Sequence, residues 1–307
     1  MARTLQNTID AITPFCRYMA ANIGTNNEPI LSIATRVRNL MLAPPFVWRF
    51  NRALTTVSLS FAVQDYTQTI SDLQFIEKSA VVPAATITNV AAGAGTATIT
   101  APNSFVKGAA VWITGLTNTQ LNVSGATILT ASSSQFTFAS TATISSVADS
   151  GTAISGKVEE VPNILNSEVI TETTTIGRPQ TLCALTNDGA GVHKLRYMPR
   201  PDQQYLNYIT YQKSPVAFAS LSDGWAPVPD AFADIYDNLC LGYYMDSCQD
   251  PRGPQYRATG AAALLARAEG LDKMEGAIFL APYLHLEAAQ IIAQLGTQQG
   301  VQATGQK

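Results

Sequence analysis

The sequence is poor in charge, in histidine and in long apolar runs. Charged residues make up 13% of the 307, against roughly a quarter in average globular domains. Few groups are then obliged to face water, which leaves two explanations: surfaces covered by partners, or an exterior of Thr, Ser and Asn. The histidines are two, His193 and His285, expected in a strand and a helix. A hydrolytic triad needs an imidazole beside a nucleophile and a carboxylate, and neither His has such neighbours in sequence. His285 and Glu287 lack the i, i+4 spacing of a zinc helix. Gly93-Ala94-Gly95 lacks the following helix of a dinucleotide loop. Glu159 and Glu160, adjacent in a strand, point to opposite faces. The expectation is a chain that is not an enzyme and takes no cofactor and no metal.

The four cysteines, Cys16, Cys183, Cys240 and Cys248, form no C-x-x-C pair and read as reduced, buried thiols of a protein made in the cytoplasm. The opening MARTLQNTID has no apolar core of the secretory type, so no leader is expected. No stretch approaches the roughly 18 uncharged apolar residues of a spanning helix, and no membrane contact is expected.

What charge there is has a pattern. Residues 1–52 carry Arg3, Arg17, Arg36, Arg38, Arg49 and Arg52 against Asp10 and Glu28, while the net charge of the chain is -3. A basic opening on an acidic remainder suits docking between copies or onto an acidic partner; ordinary solvated helix faces are the other explanation.

Helical spacing appears over residues 3–21, where Leu5, Ile9, Ile12, Phe15, Cys16 and Met19 share a face and Pro14 interrupts. Asn26-Asn27-Glu28-Pro29 starts a second helix with Ile30, Ile33, Ala34, Val37, Leu40 and Met41 on one side and Arg36 and Arg38 directed elsewhere. Pro44-Pro45 ends it. After Phe46-Val47-Trp48-Arg49-Phe50-Asn51-Arg52 the period changes to two, and Leu54–Val63 and Gln68–Val82 read as strands.

Composition shifts at residues 83–156, where Lys107 and Asp149 are the only charges. Short alternating runs recur at Ala85–Val90, Thr96–Thr100, Ala109–Ile113, Ala126–Thr130 and Gln135–Ala139. Turn clusters separate them, the pattern of a small all-β sandwich or barrel. Such composition also suits disorder, but Phe105, Trp112, Leu116, Leu121, Phe136 and Phe138 are residues of a buried kind and favour a folded module. Strand signals resume at Val161–Thr175, His193–Tyr197 and Tyr205–Tyr211, around a turn at Asn187–Gly191. Three helices follow, near 230–243, 255–269 and 272–295. Residues 296–307 have no apolar period and are expected to be mobile alone.

Several of these segments, taken in order, are similar to a group of tailed-bacteriophage head-to-tail adaptor proteins. They are Asn27-Glu28-Pro29, Pro44–Arg52, Gln64-Asp65-Tyr66, Asp72–Glu77, Leu195–Pro199, Tyr205–Tyr211 with Pro215, and Trp225-Ala226-Pro227-Val228-Pro229-Asp230. The resemblance covers roughly residues 20–82 and 157–275. It implies a homo-oligomeric ring, usually of twelve copies, that joins the portal protein to a tail or nozzle protein. Genomic DNA would pass through the lumen without sequence-specific binding. Residues 83–156 depart from the group and resemble the immunoglobulin-like modules that phage structural proteins carry.

The expected fold is α+β. N-terminal and C-terminal helices form a bundle packed with an antiparallel β-sheet domain (1–82 and 157–295), and an all-β sandwich or barrel is inserted at 83–156. A flexible arm (296–307) follows. Candidate interface residues are Pro44, Pro45, Phe46, Trp48, Arg49, Arg52 and Trp225, with Gly296, Gln298, Gln299, Val301 and Lys307 on the arm. Phe46 and Trp48 equally suit a core plug between helix and sheet, and the arm equally suits a disordered end. The resemblance places the protein in the virion neck. The rival expectation is a surface decoration or a receptor-binding or glycan-binding subunit, motivated by the Thr/Ser-rich insert. A tail-associated hydrolase would need His193 or His285.

Overall fold

The computed structural model describes residues 3–15, 28–44, 46–163, 174–187 and 191–275. The chain divides into two compact units, Met1–Arg52 with Lys213–Lys307, and Ala53–Gln212.

The first unit holds four α-helices among the described residues: α1 (Leu5–Ile12), α2 (Glu28–Leu42), α3 (Ala233–Ser247) and α4 (Gly253–Glu275). Asn7 Oδ1 accepts from Thr4 N at 2.9 Å at the start of α1. Two further N–H groups of its first turn, free of helical partners by geometry, donate to Asp223 O and Leu221 O, each at 2.9 Å. Pro14 falls in a 3-10 turn, Thr13–Phe15. The core joins Leu5, Ile9 and Ile12 of α1, Ile30, Ala34, Val37 and Met41 of α2, and Ile235, Tyr236, Leu239 and Cys240 of α3. Arg38, expected off the apolar face, is buried. Helix α4 runs without a break past Gly270, where two helices were expected.

The second unit has two β assemblies and a short pair. Strand β1 (Arg52–Leu59), which begins at the last residue of the first unit, lies beside β14 (Tyr205–Lys213), and β14 beside β3 (Leu73–Gly93). Antiparallel strands β2 (Asp65–Thr69), β12 (Val192–Met198) and β11 (Thr181–Asn187) form a three-stranded sheet. Strands β10 (Ile176–Gly177) and β13 (Arg200–Pro201) pair in parallel, and β9 (Glu159–Glu160) pairs with β3. Val57, Leu59, Val81, Leu195, Tyr197, Tyr205 and Ile209 make one core here.

Strand β3 is 21 residues long and leaves this sheet for a barrel. From Ala84 onward it pairs with β8 (Ile144–Ser155) on one side and β4 (Thr96–Thr100) on the other. Strands β7 (Gln135–Ala139), β6 (Ser124–Ala131) and β5 (Ala110–Thr114) complete the circuit β3-β4-β7-β6-β5-β8-β3. Closure leaves no edge strand. Phe105, Val111, Ile113, Leu121, Ile128, Phe136 and Phe138 fill the interior. Gly151 of β8 is required by a close approach, since a side-chain carbon there would meet Thr114 O at 2.7 Å and Leu116 at 2.9 Å.

The expected α+β fold, a helical bundle packed with an antiparallel sheet, is corrected by this architecture. Strand exceeds helix, 42% to 27%, and the largest β assembly is built around a closed six-stranded antiparallel barrel. The reason lies in β3 and β8. A strand long enough to serve both a sheet and a barrel ties the two together, and β8 returns the barrel onto β3, so no open sandwich of immunoglobulin type forms.

Candidate functional site

The aromatic segment after α2 runs through Trp48 into a 3-10 turn, Arg49–Asn51, which brings Phe46, Trp48 and Phe50 together. Phe46 stacks on Trp48 (5.5 Å between centroids, 11°) and Trp48 on Phe50 (5.3 Å, 19°). Phe232 meets Trp48 and Phe50 edge-on at 5.5 and 5.7 Å. Trp48 Nε1 donates to Met41 O at 2.7 Å. Phe46 and Trp48 are buried and belong to the core of the helical unit.

Trp225 is buried as well, stacked on Tyr236 at 4.0 Å and 7°. Its Nε1 donates to Thr8 Oγ1 at 2.9 Å. Arg38 holds the loop before it. Its guanidinium donates to Gly224 O (3.3 Å), Ala226 O (3.2 Å) and Val216 O, and lies over the Phe218 ring at 3.8 Å. Burial lowers the pKa of Arg38 and attraction to Asp223 opposes this. Two of the N-terminal arginines thus act inside the fold: Arg38 here, and Arg3, which pairs with Asp237.

Of the candidate interface residues, Pro44, Arg49 and Arg52 are exposed. Arg36 is exposed too, with its guanidinium over the Tyr243 ring at 5.7 Å. Pro45, Gly296, Gln298, Gln299, Val301 and Lys307 lie outside the described residues, as do the 296–307 arm, Cys16, Arg17, His285 and most of the expected third helix.

His193 is buried in β12 with Nε2 3.1 Å from Ile70 O. Glu159 pairs with Arg178. Cys183 and Cys240 are buried thiols, but Cys248 is exposed at the end of α3, against expectation. Among the described residues no cluster of His, Cys, Asp or Glu is arranged to hold a metal ion, and no helix is long and apolar enough to cross a membrane.

Asp149, in the barrel, accepts hydrogen bonds from Thr117 N (2.9 Å), Asn118 N (3.0 Å), Asn118 Nδ2 (2.7 Å) and Ser150 N (2.8 Å). Those donors hold its carboxyl well below the usual range. It clamps the loop after β5.

One exposed group was misread from sequence. Trp112, expected inside the β-module, points outward from β5 and is 40% exposed. The signal was available, because Val111 and Ile113 flank it and strand alternation sends their neighbour to the other face.

No protein-family profile matches the sequence, and no curated protein is significantly similar to it.

Proposed function

We propose that this chain is a structural virion protein of a tailed bacteriophage, a head-to-tail adaptor. Copies of it close into a ring between the portal and the tail or nozzle, and the genome passes through the lumen. The protein is made in the host cytoplasm, ends in the virion neck and performs no catalysis.

One observation carries the reading. The segments that resemble the adaptor group at 44–52 and 225–230 are far apart in sequence, yet both belong to one aromatic core with α2 and α3. Arg38 of α2 donates to the carbonyl of Ala226 in the second segment and to that of Gly224 just before it. Segments that keep their order and also share a core behave as parts of one inherited unit.

The exposed Arg36 sets a cation on α2 in a chain whose net charge is -3. Opposite charge on successive copies favours a head-to-tail, heterologous contact, the kind that closes into rings. The test is the mass of the purified protein in solution, alone and with the portal protein encoded by the same phage. The expected species is a multiple of the 32.7 kDa chain, free or bound to portal. A strict monomer that ignores portal at micromolar concentration contradicts the proposal.

A further inference from the structure

We propose that the outer face of the barrel around Trp112 is a binding platform for a neutral carbohydrate chain. The proposal stands apart from the adaptor reading, since it concerns one face of the barrel and not the contacts between copies.

Trp112 is the only one of the three tryptophans to reach water. Its exposure is 40%, against 4% for Trp48 and 1% for Trp225. The barrel interior does not need it, because Phe105, Phe136 and Phe138 already fill that space. A β-bulge lies beside it: Val111 pairs with Ala126, Trp112 pairs with Ser124, and Gly125 is left over. Bulges re-aim side chains. Gly125 has φ +80°, and a side-chain carbon there would come within 3.8–3.9 Å of indole atoms Cζ2, Cε2 and Nε1. The ring therefore borders a strip of bare backbone, and no side chain at 125 competes for it.

Strand register supplies the surroundings. Ser124 on β6 and Ile154 on β8 are the partners of Trp112 on its two sides. One outward step along the strands, Thr114, Thr152 and Thr86 stand in register across β5, β8 and β3. Thr86 Oγ1 also takes a hydrogen bond from Gln204 Nε2 at 2.6 Å. The face thus offers an aromatic surface next to a band of three threonines, one of them held by the Gln204 carboxamide, whose Oε1 accepts from Thr86 N at 3.0 Å.

A pyranose ring matches both parts. Its C–H face carries partial positive charge and suits the negative face of an indole, while its hydroxyls donate to and accept from Thr side chains. Charge decides the class of sugar. Within residues 83–156 the charged side chains are Lys107 and Asp149, and Asp149 is occupied by the loop after β5. A face built without paired cations has nothing to attract sulfate, phosphate or uronate groups.

The test uses the full chain and four neutral probes: dextran, maltohexaose, cellohexaose and hexa-N-acetylchitohexaose, with heparin as the anionic control. Acrylamide quenching of tryptophan emission reports on Trp112, because the other two indoles are buried. The expected result is saturable protection by at least one neutral probe, weakened on the order of tenfold or more in Trp112→Ala and less in Trp112→Phe. The thermal midpoint of both variants should match the parent, as expected for a side chain outside the core. The proposal is overturned if no neutral probe saturates, if heparin alone binds, or if Trp112→Ala binds as well as the parent.

Discussion

Asp237 on α3 faces Arg3, which precedes α1, and the ion pair between them helps fasten the two ends of the helical unit. Arg3 N also donates to Asp230 Oδ1 at 3.1 Å, and its guanidinium lies 5.6 Å from the Tyr236 ring centroid. Burial pushes the Asp237 carboxyl up to about 6, and the attraction of Arg3, which acts the other way, does not overcome it. A carboxyl whose pKa is higher in the folded than in the unfolded chain binds its proton more tightly when folded. Its contribution to stability therefore grows as the pH falls through about 6 and is withdrawn as the pH rises. Asp65, Asp223 and Asp250 are held below their ordinary range by hydrogen bonds and act in the opposite sense at lower pH. Urea unfolding at pH 7 and pH 5 separates these effects. Asp237→Asn should remove a gain on the order of 1 kcal/mol between the two pH values. An unchanged pH difference in the variant would remove Asp237 as its source.

The same scale shows what residue patterns reveal and what they hide. The apolar spacing of α2 marks Ile30, Ile33, Ala34, Val37 and Met41, all buried. That spacing says nothing about Arg38, whose burial depends on carbonyls nearly 190 positions away. Trp112 shows the reverse error. Residue type suggested a core position, whereas strand alternation, the better guide, sends it outward.

At the scale of elements, the runs at 85–90, 96–100, 109–113, 126–130 and 135–139 fall on β3 to β7 with small shifts at the ends. Strand β8 went unseen because Ser145, Ser146, Asp149, Ser150 and Gly151 break the apolar alternation that marks a strand. It is held instead by its registers with β3 and β5. Closure of the barrel depends on that strand, which is why the sequence alone left sandwich and barrel unresolved.

The same registers make the barrel separable. The chain enters it near Ala84 and leaves near Ile154, which are register partners. The barrel core and the helical core share no residues. Replacing residues 87–151 with a two-residue Asn-Gly turn should leave the urea-unfolding free energy of the helical unit within about 0.5 kcal/mol of the parent, the range for independent sites. Helical circular dichroism across the urea transition reads this directly. A collapse of the helical signal in the shortened chain would show that the barrel is needed by the rest of the fold.

At the scale of the whole molecule, the fold combines a helical unit made from both ends of the chain with a β unit from its middle. Sequence order exposed that split only in part. The helices at each end have clear periodicity, but their common core is a long-range property carried by Trp48, Trp225, Phe232 and Arg38. The β unit has a second difficulty, that one strand serves two assemblies. Neither feature leaves a local pattern.

The adaptor proposal concerns an assembly, and its most direct test lies in the virus. A nonsense mutation early in this gene, in a phage grown on a non-suppressing host, should give lysates with heads and tails that remain unjoined in electron micrographs. Supplying the intact protein should restore joined particles. Normal numbers of complete, infectious virions from the mutant would contradict the account.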